Sequence, residues 1–108
     1  MNKTILIGRL ANDPELKTVG EGKVTSFSLA VQRPFKNAEG VREADFFQIV
    51  VWGENAENLV KFMKKGSLIA VDGRLQNRSY DTDNGFKRYV TEVIANNITF
   101  LDSKKEGE

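Results

Sequence analysis

Apolar residues in this sequence recur at every second position, in short runs separated by turn residues, and this period of two constrains the fold more than any other feature. Side chains along an extended strand point alternately to opposite faces, so runs of this kind specify strands with one buried side. The pattern predicts strands over Asn2–Leu10, Lys23–Gln32, Asp45–Trp52, Ser67–Tyr80 and Phe86–Phe100. Asn12-Asp13-Pro14 and Gly20-Glu21-Gly22 break the chain between the first two, with Glu15–Val19 as a short extended piece, and Asn84-Gly85 is a tight-turn signal that closes the last pair.

One segment departs from that period. In Glu54–Gly66 the apolar residues Ala56, Leu59, Val60 and Met63 fall at helical spacing and form a single stripe. Acids in its first turn and Lys64 and Lys65 at its end match the helix dipole, and Gly66 suits a left-handed cap. The resulting order is strand, strand, strand, helix, strand, strand. That is the order of the OB-fold, so the expected architecture is all-β: a five-stranded Greek-key barrel with one helix between the third and fourth strands. A chain of 108 residues suits one domain, placed at residues 1–101, with a disordered tail over 102–108 where the apolar pattern stops.

The sequence contains neither cysteine nor histidine. Their absence removes disulfides, thiolate chemistry, most zinc sites, the Ser-His and Cys-His nucleophile pairs, and the side chain best suited to moving protons near neutral pH. A binding protein is expected rather than an enzyme, with no metal and no cofactor. No apolar run approaches the roughly 20 residues of a membrane span. Arg9 interrupts Ile5-Leu6-Ile7 before it could serve as a secretory segment, so the expected location is the cytoplasm. The formal net charge is only +1, but the cations are grouped: Lys23, Arg33 and Lys36 in a stretch without acids, then Lys61, Lys64 and Lys65, then Arg74 and Arg78. Such grouping, more than net charge, governs attraction to a polyanion.

Strand parity assigns the rings to faces. In the third strand Phe47, Ile49 and Val51 share one wholly apolar side, which goes inward; Phe46, Gln48, Val50 and Trp52 share the other. A buried Gln48 would need partners for its amide, a second reason to turn that face to water. In the fourth strand Ile69, Val71, Gly73 and Leu75 point inward, and Arg74, Gln76, Arg78 and Tyr80 point outward. The second strand sends Phe27, Leu29 and Val31 inward and runs into a loop where Phe35 lies between Arg33 and Lys36. Phe86, Lys87, Arg88 and Tyr89 follow the last turn, so aromatic and basic residues alternate on both sides of it. Displayed rings beside cations suit a single-stranded nucleic acid: unpaired bases stack on the rings, each worth roughly 1–3 kcal/mol, while the cations follow the phosphates. Stacking accepts any base, so binding of this kind does not read sequence.

Each feature alone has an ordinary structural explanation. A strand tryptophan is more often core or interface, an Arg-Gln-Arg row is usually a solvated face, lysines suit any helix end, and Phe86 and Tyr89 would pack a hairpin. The weight comes from Phe46, Trp52, Arg74, Arg78 and Tyr80 all reaching the exterior by one alternation rule. Leu68, Ala70, Val90 and Ile94 put apolar side chains on outer faces as well, which calls for cover by the helix or by a second subunit.

Several blocks now combine: Asn2-Lys3-Thr4-Ile5-Leu6-Ile7-Gly8-Arg9-Leu10, Asp13-Pro14-Glu15-Leu16, Phe27-Ser28-Leu29-Ala30-Val31, Lys64-Lys65-Gly66-Ser67, Val71-Asp72-Gly73-Arg74-Leu75 and Thr91-Glu92-Val93. In order and spacing, over Met1 to Leu101, the chain resembles the bacterial single-stranded DNA-binding proteins of replication and recombination. The resemblance implies an OB-fold subunit of a homotetramer with single-stranded DNA wrapped over its outside, serving replication, recombination, repair or DNA uptake. It assigns base stacking to Phe35, Phe46, Trp52 and Tyr80, and phosphate contact to Lys65 and Arg78, with Arg33, Lys36 and Arg74 beside them. Phe86 and Arg88 join the expected DNA-binding set from their place beside the last turn. Glu54 and Gln76 stand where some members carry lysine and arginine, which weakens phosphate contact there. Replicative members continue to an acidic tip ending in Ile-Pro-Phe; the sequence stops at Glu108 without one, so recruitment of replication or repair proteins through such a tip is not expected of it.

Three other readings use the same fold. A primosome-type or RNA-binding module separates by comparing DNA and RNA oligomers of equal length. A protein-interaction module predicts no affinity for oligo-dT at any salt. A nuclease needs a carboxylate cluster for metal, which the scattered acids do not offer.

Overall fold

The computed structural model describes residues 1–103; the predicted tail from position 104 onward lies outside the described residues. The strands are β1 (Thr4–Leu10), β2 (Lys17–Val19), β3 (Gly22–Gln32), β4 (Ala44–Trp52), β5 (Leu68–Asp81) and β6 (Lys87–Phe100), with helix α1 (Glu54–Phe62) between β4 and β5. The five predicted strands are present, and the short extended piece forms β2, which pairs with β3 from Lys17↔Val24 to Val19↔Gly22. The sheet is therefore six-stranded, in the order β1-β5-β6-β4-β3-β2. All its pairings are antiparallel except β4 with β6, which run parallel at Ile49↔Val93 and Val50↔Ile94.

A further pairing joins β1 to β3 at Arg9↔Ala30 and Leu10↔Leu29, so the sheet curls back on itself around one core. The curl needs a close crossing, and Gly8 provides it: a Cβ there would collide with the carbonyl oxygen of Ala30. Inside lie the residues that alternation selects, with Phe27, Leu29, Ile49, Val51, Ile69 and Val71 all essentially inaccessible. Each such side chain contributes roughly 1.5–3 kcal/mol of burial free energy. Helix α1 packs against β3 and β4 through Ala56 and Leu59, with Met63 buried just after its end.

The helix is shorter than its sequence pattern predicts. Met63 is already extended, its amide bonded to Leu59 O at 2.9 Å, so Lys64 and Lys65 lie beyond the last helical turn. The following amides are taken by tertiary partners: Lys64 N donates to Ser67 Oγ at 3.0 Å, Lys65 N to Asp13 Oδ1 at 2.8 Å and Gly66 N to Leu10 O at 2.8 Å. Gly66, at φ +92°, thus shapes the turn into β5 instead of capping the helix. Asp102, at the predicted start of the tail, accepts from Leu68 N at 3.3 Å and lies 3.6 Å from the Arg9 guanidinium.

The β5–β6 register shifts between Asp72↔Asn97 and Gly73↔Ala95, leaving Asn96 as an extra residue on β6. Gly73 is required at this bulge, since a Cβ would strike the carbonyl oxygen of Ile94. Leu75, expected inside by parity, is 47% exposed. The reason is local: β1 pairs with β5 only as far as Thr4↔Gly73, so among the described residues no strand flanks Leu75 on that side. The Asn2 side chain substitutes, donating to Leu75 O at 2.7 Å and accepting from Leu75 N at 2.9 Å.

Candidate nucleic-acid interface

The registers bring the outward residues of four strands onto one face. Across β3 and β4, Val24 lies beside Trp52, Ser26 beside Val50, Ser28 beside Gln48 and Ala30 beside Phe46. Val50 is next to Ile94 on β6, and β6 carries the face on to β5 through Ile94↔Arg74, Glu92↔Gln76, Val90↔Arg78 and Arg88↔Tyr80. Serines and alanine along β3 are short, so that side is recessed between the rings of Phe46 and Trp52.

The recess is a trough made of two connected grooves. One, of about 690 Å³, runs between Phe46 and Tyr80; the other, of about 330 Å³, ends at Trp52. They share Gln48, Arg78 and Glu92 as a common middle. The rings are accessible, Phe46 by 64%, Trp52 by 48% and Tyr80 by 49%. The indole lies beside Gly22, where an added Cβ would sit 3.4 Å from its Cζ3.

Two arginines of the expected set are paired with acids, in different settings. Arg78 donates through Nε to Glu92 Oε1 at 2.9 Å, with the carboxylate almost wholly buried beneath it. Arg33 is held in the β3–β4 loop by Asp45, with Nε and Nη2 bonds of 2.9–3.2 Å, and by Glu43 at 3.1 Å. The hydrogen bond from Arg33 holds the Asp45 carboxyl below its ordinary range, and the same bond raises the Arg33 guanidinium. Asn37 completes this clasp, donating to Glu43 and accepting from the amides of Glu39 and Val41.

Other expected residues lie around the trough or apart from it. Phe35 is 80% exposed and lines a separate hollow with Arg33 and Lys36 on the clasped loop. Arg74 is exposed at the trough's edge, opposite Ile94. Lys65 is tied by its amide to Asp13, which shares a hollow with Ser26, one of the residues lining the Trp52 groove. Phe86 and Arg88 are exposed at the end of the β5–β6 hairpin and are not among the residues lining the trough. Val90 and Ile94, for which the sequence called for cover, line the trough instead; α1 packs elsewhere, on β3 and β4. Parity reasoning gave no role to Glu92. A signal was present: an acid between Val90 and Ile94 on one strand face is out of place unless a cation meets it.

Chemically, the trough offers flat rings at both ends and, in the middle, hydrogen-bonding groups with the Arg78 guanidinium. Among the described residues no group of three or more acidic side chains is placed to hold a metal ion, and no helix is long and apolar enough to cross a membrane.

Comparison with known proteins bears on this surface. A family model described as the single-strand binding protein family matches residues 1–101. Single-stranded DNA-binding protein 3 of Listeria innocua is 53% identical over 108 residues, covering 99% of this chain and 68% of that protein. Single-stranded DNA-binding protein 1 of Staphylococcus aureus is 54% identical over 109 residues, covering 100% of this chain and 70% of that protein. Among solved structures, the Plasmodium falciparum SSB complex with ssDNA superposes with a TM-score of 0.81 at 33% identity, over 94% of this chain and 96% of the other. With the helix-interrupted, curled sheet and its ring-ended trough, these likenesses establish that the chain belongs to the single-strand binding protein family.

Proposed function

We propose that this chain binds single-stranded DNA without reading its sequence and protects it during replication, recombination, repair or uptake. The observation that carries the reading is the continuous trough with Phe46 and Tyr80 at one end and Trp52 at the other, flanked by Arg78 and Arg74. Bases stack on the rings while the guanidinium groups neutralise phosphates. Phe35, Lys36 and Lys65 extend the path beyond the trough, and Phe86 and Arg88 meet DNA that continues along the hairpin. Arg33, already neutralised by Asp45 and Glu43, shapes the loop that presents Phe35.

The working form is a cytoplasmic homotetramer with no enzymatic activity. Ile5 and Ile7 are exposed on the outer side of β1 at 62% and 56%, and association of copies gives this apolar strand face a partner. The test is titration with oligo-dT while following Trp52 emission, with light scattering on the same samples. Strong quenching is expected, with log K falling against log salt at a slope of about −0.7 per phosphate neutralised. Unchanged emission and no salt-dependent binding would remove the reading.

A further inference from the structure

A carboxylate is an unexpected group on the floor of a surface built for a polyanion. Glu92 is 5% exposed, lines both grooves, and has Val90 and Ile94 as its neighbours on the same strand face. A buried charge is tolerated only when it is paired, and its sole ion pair among the described residues is with Arg78. The geometry of that pair is specific. Glu92 engages Nε, the nitrogen nearest the side-chain stem, through Oε1 at 2.9 Å. Both terminal nitrogens of Arg78 are without a protein partner among the described residues, and the Arg78 side chain remains 55% exposed.

We propose that Glu92 is a positioning residue: it fixes the plane of the Arg78 guanidinium so that its two terminal nitrogens face the trough as a ready-made fork for a phosphate of the bound strand. The proposal rests on the single-stranded DNA reading above. A guanidinium is planar, so one bond at Nε fixes the direction of the remaining N–H groups, whereas a lysine ammonium has no plane to fix. Arg33 provides the contrast within the chain. Its Nε, Nη1 and Nη2 are all taken by Asp45 and Glu43, leaving no free fork. The two arginines therefore carry equal charge but unequal capacity for a phosphate.

The decisive feature for a test is the sign of the effect. If Glu92 acted only through its negative charge, Glu92→Gln would tighten binding to oligo-dT and steepen the salt dependence. Positioning predicts the reverse: Glu92→Gln binds about three- to tenfold more weakly, with a shallower salt slope, because a neutral amide oxygen holds Nε by a weaker bond than the charge-assisted one it replaces and Arg78 meets its phosphate less firmly oriented. Arg78→Lys, an exposed change that keeps the charge, is expected to weaken binding to a similar extent. In an Arg78→Gln background, adding Glu92→Gln is expected to change affinity less than twofold. Thermal unfolding of each variant identifies any that has lost its fold; Arg78→Lys, compared with the unaltered protein, tests the proposal with residue 92 unaltered and the positive charge kept. Tighter binding by Glu92→Gln, an equal loss in the Arg78→Gln background, or unaltered affinity in Arg78→Lys would each overturn it. Failure of the unaltered protein to bind oligo-dT would overturn the functional reading itself, which keeps the two failures distinct.

Discussion

From Leu68 to Gly73, β5 alternates half-buried with buried residues; from Arg74 to Asp81 every residue is exposed. The inner half is flanked by β1 and β6 and holds Ile69 and Val71 in the core, while the outer half is paired with β6 alone. The bulge opposite Gly73 marks the boundary. Core packing and the proposed DNA-binding surface thus fall on different stretches of one strand, and the outer stretch carries Arg74, Arg78 and Tyr80 without disturbing what folds the molecule. The difference also teaches where parity stops being a guide to burial: alternation persists past Gly73, but the core does not.

The sharpest test of this division is Ile69→Ala, expected to lower unfolding free energy by about 2–5 kcal/mol in urea titration, with unaltered oligo-dT affinity for the protein that remains folded. Gly73→Ala is expected to destabilise by about 1–3 kcal/mol, because its Cβ meets rigid backbone and not a movable side chain. Tyr80→Ala reverses the pattern: a loss of about 1–3 kcal/mol in oligo-dT binding by fluorescence titration, with an unchanged unfolding midpoint. A fall in stability from Tyr80→Ala comparable to that from Ile69→Ala would break the comparison.

The smallest effect is expected at the Arg33 clasp and depends on pH. The Asp45 carboxyl is lowered from 3.8 by its hydrogen bond from Arg33. A depressed folded value means that the clasp contributes fully above about 3.8 and is lost as pH falls through the folded value beneath it. The Arg33 Nε–H NMR signal, which reports its bond to the Asp45 carboxylate, is therefore expected to move below that pH, and Asp45→Asn is expected to abolish that transition. An unchanged titration in Asp45→Asn would show that the loop is held by other groups.

Much of this could be read from the sequence because strand alternation is a local rule. It placed Phe27, Ile49 and Val71 inside and Phe46, Trp52 and Tyr80 outside, and the structure agrees on all six. What it missed depends on the ends of elements and on distant partners. Leu75 is exposed because β1 runs out beside Gly73, and α1 stops at Phe62 because Asp13, Leu10 and Ser67 take the following amides. The pairing of Arg78 with Glu92 needs the β5–β6 register, which a shift at the bulge could have moved either way. The clasp around Arg33 likewise joins residues whose loop path the sequence leaves open.

The seat of Trp52 beside Gly22 has an optical consequence. The indole is 48% exposed with its six-membered ring beside residue 22, so a small collisional quencher such as acrylamide reaches the fluorophore in the free protein. A nucleobase stacked on the ring would block that access, so emission becomes a reporter of occupancy at one end of the path, and a bulkier residue at position 22 would alter that reporter before any ligand arrived.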